Sequence, residues 1–251
     1  MPKQSDSRSA SRKRVDLLLV ERGLFESRAR ARAAIEAGLV IADDRPVAKP
    51  SEVIASDAVL QAQPAHPFVS RGGVKLAGAL EQYPIDIEDH VCLDVGASTG
   101  GFTEVLLVAG AAMVFSIDVG RDQLHRSLRG HPKIVSMEQT DIRSFEGKRL
   151  PVRPDVVVID VSFISLKAVL PVALSLAAAP MHLLALIKPQ FEGQQKHSRH
   201  GVIRDATVHQ QVCDDIAAFA ASLGCSGIEI FPSPIAGGDG NAEFFIGARR
   251  D

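Results

Sequence analysis

No run of about 18 or more uncharged apolar residues occurs in the 251-residue chain, which excludes a hydropathic transmembrane helix. The first ten residues, MPKQSDSRSA, lack the apolar centre of a signal peptide, and the expectation is a cytoplasmic protein with no membrane partner. Cysteine is scarce. Cys92, Cys213 and Cys225 are scattered, with no Cys-x-x-Cys pair and no His at metal-ligand spacing, so buried reduced thiols are expected and no metal is assigned. Internal repeats are absent as well. A large charge of one sign is also missing, since the formal net charge is −2.

That balance hides an asymmetry. Residues 1–75 carry 13 Lys and Arg against 9 Asp and Glu, and the remainder carries 15 against 21. A polyanionic partner would therefore meet the N-terminal part first, because clustered cations gain affinity by releasing counterions from phosphates.

What is present falls into segments. Residues 1–13 are polar, serine-rich and basic, and read as a mobile arm. RVDLLLVERGL (14–24) and SRARARAAIEAG (27–38) predict two short helices, closed by Gly23 and Gly38, with Ser27 as an N-cap. The β-branched runs of 39–62 predict small strands, so 14–62 reads as a compact α+β domain. Two prolines in 63–68 mark a linker. From 69 to 251, strand-like runs at 91–96, 113–120, 134–141, 155–161 and 182–189 alternate with helical segments, among them a polar helix between the second and third strands. This pattern predicts an α/β fold with a parallel sheet covered on both faces. After Pro189 come a polar loop, a helix over 206–222 and a closing pair of strands.

In LDVGASTGGFTEVLL (93–107) a strand, a glycine-rich bend and a helix follow one another, the arrangement of a nucleotide crevice at the end of an open sheet. Gly96, Ala97, Ser98, Thr99, Gly100, Gly101 and Phe102 form the bend and are candidate cofactor contacts. Their spacing is not Gly-x-Gly-x-x-Gly, and no Lys-Ser/Thr pair follows. Asp94 just before the bend would repel a pyrophosphate and suit a cationic ligand. Asp118 ends the next strand, where a carboxylate can take ribose hydroxyls. Asp141 ends the third, with Ile142 beside it, near the adenine position. Such acids often only cap helices; three on successive strands favour S-adenosylmethionine, which carries positive charge and no phosphate.

Asp160 and Lys188 end the next two strands and would point a carboxylate and an amine into the same crevice. Desolvation and a nearby cation would make that amine's protonation adjustable, and a neutral amine can accept a hydroxyl proton. A strand-end lysine reaching solvent is the bland alternative. Glu243, after the glycine turn of GGDGNAEFF, reads equally as an edge-strand acid.

VSRGGVKL, LDVGASTGGFTEVLL, VVVIDVSFISL, LIKPQFE and SPIAGGDGNAEFF together resemble the hemolysin TlyA family of ribosomal RNA 2′-O-methyltransferases, over nearly all of 14–249. The resemblance implies a Rossmann-like class I methyltransferase sheet of FtsJ type, preceded by an alpha-L RNA-binding domain. It implies a Lys-Asp-Lys-Glu tetrad, which falls on Lys75, Asp160, Lys188 and Glu243. The expected reaction is S-adenosylmethionine-dependent methylation of a ribose 2′-oxygen, of a cytidine, in ribosomal RNA. Ribosomal RNA or ribosomal subunits would be the partner, bound by a monomer.

Arg28 and Arg32, at i and i+4 on one helical face, together with Lys13, Arg14 and Arg71, are the candidate RNA contacts. An assembly factor with little turnover and a small-molecule methyltransferase are the competing readings. A membrane-lytic protein, suggested by the family's name, finds no amphipathic or spanning segment to support it.

Overall fold

Short apolar helices alternating with β-branched triplets build the N-terminal part of the chain. The computed structural model describes residues 11–193, 201–237 and 240–251, in two compact units, Met1–Pro67 and Phe68–Asp251. The first unit contains β1 (Arg12–Arg14), α1 (Val15–Glu21), α2 (Arg28–Glu36), β2 (Val40–Ala42), β3 (Arg45–Pro46), β4 (Val53–Ala55) and β5 (Leu60–Ala62). α1 ends before Gly23, whose φ of +71° is unfavourable for a side-chain-bearing residue. α2 starts as expected at Ser27, whose Oγ accepts the Arg30 N–H at 3.3 Å. Val15, Leu19, Ala31, Ala34, Ile35 and Val40 form its core.

Order begins before Arg14. Arg12 and Lys13, expected in the arm, belong to β1 and pair antiparallel with β4, Lys13 opposite Ile54. The rest of the expected arm, residues 1–10, lies outside the described residues.

The second unit has α3 (Arg71–Gln82), β6 (Val91–Val95), α4 (Gly101–Val108), β7 (Met113–Ile117), β8 (Ile134–Met137), β9 (Val156–Ile159), α5 (Leu166–Leu176), β10 (Met181–Ile187), α6 (Ala206–Ser222), β11 (Ser226–Pro232) and β12 (Phe244–Arg250). Its seven-stranded sheet has the order β11-β12-β10-β9-β6-β7-β8. β6 to β10 are mutually parallel, and β12 runs antiparallel to both neighbours. This is a mixed α/β, Rossmann-like sheet.

Alternate strand residues serve the two faces. Leu93, Phe115, Val157, Ile159 and Leu183 bury against α5 and α6; Cys92, Val114, Val158, Leu184 and Phe245 bury against α3 and α4. Burial on both faces explains why β9 reads VVVI rather than as an alternation.

The polar helix expected between β7 and β8 does not form; residues 121–133 run as turns. Glu138 accepts the backbone N–H groups of Asp122, Gln123 and Leu124 at 2.5, 2.8 and 2.9 Å. Asp122 sits at φ +54°, and Leu124 and Leu128 bury with Val69. A carboxylate outside the segment thus satisfies the donors that a helix would have left open.

Candidate active site

β6 lies between β7 and β9 although it precedes both, so the chain turns outward in opposite directions from it. A crevice opens at such a switch point, beyond the carboxyl ends of the strands. Here it is a cavity of about 470 Å³, within the range of small-molecule sites.

The glycine bend forms one wall. Gly96 has φ +85°, and a Cβ there would lie 2.4 Å from the Asp160 carbonyl oxygen. Only glycine lets the end of β6 approach the end of β9 so closely. Of the bend residues, Gly96 and Ser98 line the cavity. Ala97, Thr99, Gly100, Gly101 and Phe102 lie behind or beside that lining. Gly101 packs on Ser70 and Gly73. Phe102 is buried and stacks on Phe245 with centroids 6.2 Å apart. The Thr99 carbonyl accepts the His125 N–H at 3.1 Å. These residues shape the turn.

The three strand-end acids part company. Asp118 lines the cavity; its Oδ2 accepts the Ser98 N–H at 2.8 Å and its Oδ1 the Gly120 N–H at 2.6 Å, which leaves further lone pairs for a ligand. Asp141 and Ile142 also line it. Asp141 caps a 3₁₀ turn through the Arg143 N–H and pairs with the Arg143 guanidinium at 2.6 Å, so its carboxyl is held below the usual range.

Asp94 departs from expectation. It is fully buried and does not line the cavity. Thr103 in the first turn of α4 donates to its Oδ2 at 2.6 Å, and Ser116 lies 2.8 Å from the same hydroxyl. Oδ1 has no hydrogen-bond partner among the described residues. Burial pushes this carboxyl up to about 7 against the Thr103 hydrogen bond, with repulsion from Asp160 and Asp118 adding to the rise.

Two ion pairs stand at the ends of the central strands. Lys188 Nζ lies 2.6 Å from Asp160 Oδ1 and donates to Ser162 Oγ at 2.9 Å. Lys75 Nζ lies 2.5 Å from Glu243 Oε2. The β10–β12 ladder runs to Ile187 opposite Phe244, so Lys188 and Glu243 leave it on adjacent strands. The sheet register thereby brings both pairs to one edge. Lys75, Lys188 and Glu243 are buried, where charges persist only if paired. Asn241, also buried, accepts the Ile203 N–H and donates to the Gly201 carbonyl, each at 3.1 Å, while its own carbonyl accepts the Gly237 N–H at 2.9 Å. These bonds hold the turn before Glu243.

In the first unit every expected cation is engaged. Asp16, buried, accepts Arg14 Nε at 3.0 Å, Arg14 Nη2 at 2.9 Å and Arg28 Nη2 at 3.0 Å. The Arg14 hydrogen bonds hold its carboxyl down at about 2, with help from Arg28. Lys13 pairs with Glu21 at 2.6 Å, and Arg32 lies 3.8 Å from Glu36. In the second unit Arg71 donates to the Ala236 carbonyl at 2.5 Å.

Sequence reasoning missed Asp16, Glu138, Asn241, Ser162 and Phe163. Phe163 lines the cavity mouth, 89% exposed at φ +64°, with its ring 4.9 Å from that of Phe191. Position just beyond a strand end was the only available signal for Ser162 and Phe163; the others have none in their local sequence.

In a cavity walled by Asp118, Asp141 and Asp160, Arg143 neutralises Asp141 and Lys188 pairs with Asp160, which leaves the Asp118 carboxylate uncompensated and suits a ligand of positive charge. No helix among the described residues is long and apolar enough to cross a membrane, and no group of metal-ligating side chains is found among them.

Residues 68–250 match the family described as FtsJ-like methyltransferase, and residues 13–60 match the S4 domain. The chain is 42% identical over 243 residues to the 16S/23S rRNA (cytidine-2′-O)-methyltransferase TlyA of Mycobacterium tuberculosis, covering 96% of this chain and 91% of that protein. It is 41% identical over 244 residues to YqxC of Bacillus subtilis, described as a candidate rRNA methyltransferase, covering 95% and 86%. A solved structure of a candidate hemolysin from Streptococcus thermophilus superposes with a TM-score of 0.76 at 38% identity, covering 96% of this chain and 90% of that one.

Proposed function

The chain belongs to the FtsJ-like methyltransferases, with an S4 domain at its N-terminal end, and from that premise we propose that it methylates a ribose 2′-hydroxyl of a cytidine in ribosomal RNA, using S-adenosylmethionine. The observation that carries the reading is the two ion pairs, Lys75 with Glu243, both buried, and buried Lys188 with half-buried Asp160, at the strand ends beside an acid-lined cavity.

The acid walls fit the cofactor's positive charge, and the free lone pairs of Asp118 fit an adenosine ribose. When bound, the cofactor supplies an electrophilic methyl group. The chain's own residues then handle the acceptor. Asp160 anchors Lys188, and Lys188 Nζ in its neutral form would take the hydroxyl proton as the oxygen's lone pair bonds to the methyl carbon, whose bond to sulfur would break with its electron pair left on the sulfur. Lys75, anchored by Glu243, orients the ribose, so that alignment supplies part of the rate. A 2′-hydroxyl acceptor implies RNA, and the exposed Phe163 ring offers a face on which an unstacked base can rest. The S4 domain supplies cations for phosphate contacts that position the substrate.

The test is transfer of tritiated methyl from S-adenosylmethionine to ribosomal subunits lacking the modification. Incorporation at a cytidine 2′-oxygen, mapped by resistance to alkaline cleavage, is expected. Binding of the subunits without incorporation would leave an assembly factor instead, and methylation of small molecules alone would overturn the RNA reading.

A further inference from the structure

The geometry points to Ser162 as a positioning residue that fixes the direction in which Lys188 presents its nitrogen to the acceptor hydroxyl; this rests on the methyl-transfer reading above. Lys188 Nζ is tetrahedral, with one vertex taken by Cε and three left. Ser162 Oγ, at 2.9 Å, accepts at one vertex, while Asp160 Oδ1 is an ion-pair partner at 2.6 Å without hydrogen-bond geometry. No third partner of Nζ is found among the described residues.

Ser162 is the one hydrogen-bond acceptor found for Nζ among the described residues. With the Asp160 ion pair alone, the amine can rotate about its Cε–Nζ bond. With Ser162 accepting at one vertex, that rotation is fixed, and with it the directions of the two remaining vertices, one of which holds the lone pair of a neutral amine. The same holds for an ammonium, whose two other hydrogens are aimed along those vertices. The direction is therefore set by Ser162 whichever protonation state meets the substrate.

The placement of Ser162 agrees with this role. It lies two residues beyond Asp160, past the end of β9, and lines the same cavity as Asp160. Its neighbour Phe163 adopts φ +64°, a conformation costly for a bulky residue. The chain thus turns sharply at the point where the Ser162 hydroxyl meets Lys188. Nothing in the hydrophobic core requires a hydroxyl there, because Ser162 is exposed to the cavity side.

The experiment compares full-length wild type, Ser162→Ala, Ser162→Thr and Lys188→Met. Single-turnover methyl transfer to ribosomal subunits is measured together with the KM for subunits and the cofactor Kd. Ser162→Ala should lower the single-turnover rate about 5- to 50-fold, less than the loss of the base itself. KM and Kd should stay within about twofold, since alignment is lost rather than binding. Ser162→Thr, which retains the hydroxyl, should recover most of the rate. A wild-type rate in Ser162→Ala overturns the proposal, and so does an equal loss in Ser162→Thr.

A crystal structure of Ser162→Ala supplies a readout independent of activity. Displacement or splitting of the Lys188 Nζ position supports the proposal, and an unmoved, single Nζ overturns it. If wild type itself methylates no ribosomal RNA, the functional reading falls, and the crystal structure still decides whether Ser162 orients Lys188.

Discussion

Lys75 Nζ and Glu243 Oε2 form a buried ion pair of 2.5 Å, although 168 positions separate them in the chain. The pair ties α3 to the start of β12. Removing one partner would strand a desolvated charge on the other, a penalty of about 3–5 kcal/mol. Glu243→Gln and Lys75→Met should therefore each lower the urea midpoint. The double variant should recover much of the lost stability without recovering methyl transfer, and strictly additive losses in the double-mutant cycle would contradict the coupling.

Lys188→Met should lower the methyl-transfer rate by about 10² to 10⁴, the contribution of a positioned base, with cofactor affinity kept within about threefold. Calorimetric binding and single-turnover assays separate the two quantities. A rate within tenfold of wild type would remove Lys188 from the base role.

Asp94 makes stability depend on pH. Its carboxyl is raised from 3.8 to about 7 in the fold, so between those values the folded state holds a proton that the unfolded state has released. Its contribution is complete below the unfolded value and is lost as pH rises through about 7. Asp94→Asn carries no such proton. The stability of Asp94→Asn relative to wild type should rise by about 2 to 4 kcal/mol between pH 4 and pH 8. A constant difference in chemical denaturation across that range would refute the buried titration.

Asn241→Ala removes the partners of the Ile203 N–H and the Gly201 carbonyl. The buried Ile203 N–H left without a partner costs about 1–3 kcal/mol, and the turn ahead of Glu243 should loosen. The measurements are the urea midpoint and amide exchange at Ile203, which should speed up; unchanged protection there would show that the bridge is dispensable.

Arg28 is held by Asp16 yet keeps 55% of its side chain exposed. Arg28→Ala and Arg32→Ala should each weaken binding to ribosomal RNA and reduce the slope of log affinity against log salt by about one. An unchanged slope would mean that neither arginine meets a phosphate. Asp16→Asn, which frees both Arg14 and Arg28, should not reduce that slope.

Local pattern was enough for the layout. Unbroken apolar strands such as VVVI could only belong to a sheet covered on both faces, and the bend before Phe102 could only be a tight strand-to-helix turn, because these consequences follow from side-chain period and backbone freedom over a few residues. The same kind of reading put Asp160 and Lys188 at neighbouring strand ends. It could not place Lys75 and Glu243, which resemblance alone assigned, since nothing within a few positions of either residue records the other.

Contacts across long separations decided the rest. Asp94 looked like a ligand contact by its position, but Thr103 and Ser116 enclose it in the core. The expected helix after β7 was lost to Glu138, which lies beyond the segment it reshapes. Arg14 and Arg28 read as candidate RNA contacts with no partner in view, and the fold brings both to Asp16; Ser162 gained its role only where β9 and β10 bring it against Lys188. A chain's own pattern determines which residues can be buried and which strands lie side by side; only the packed structure determines which charged groups then face one another.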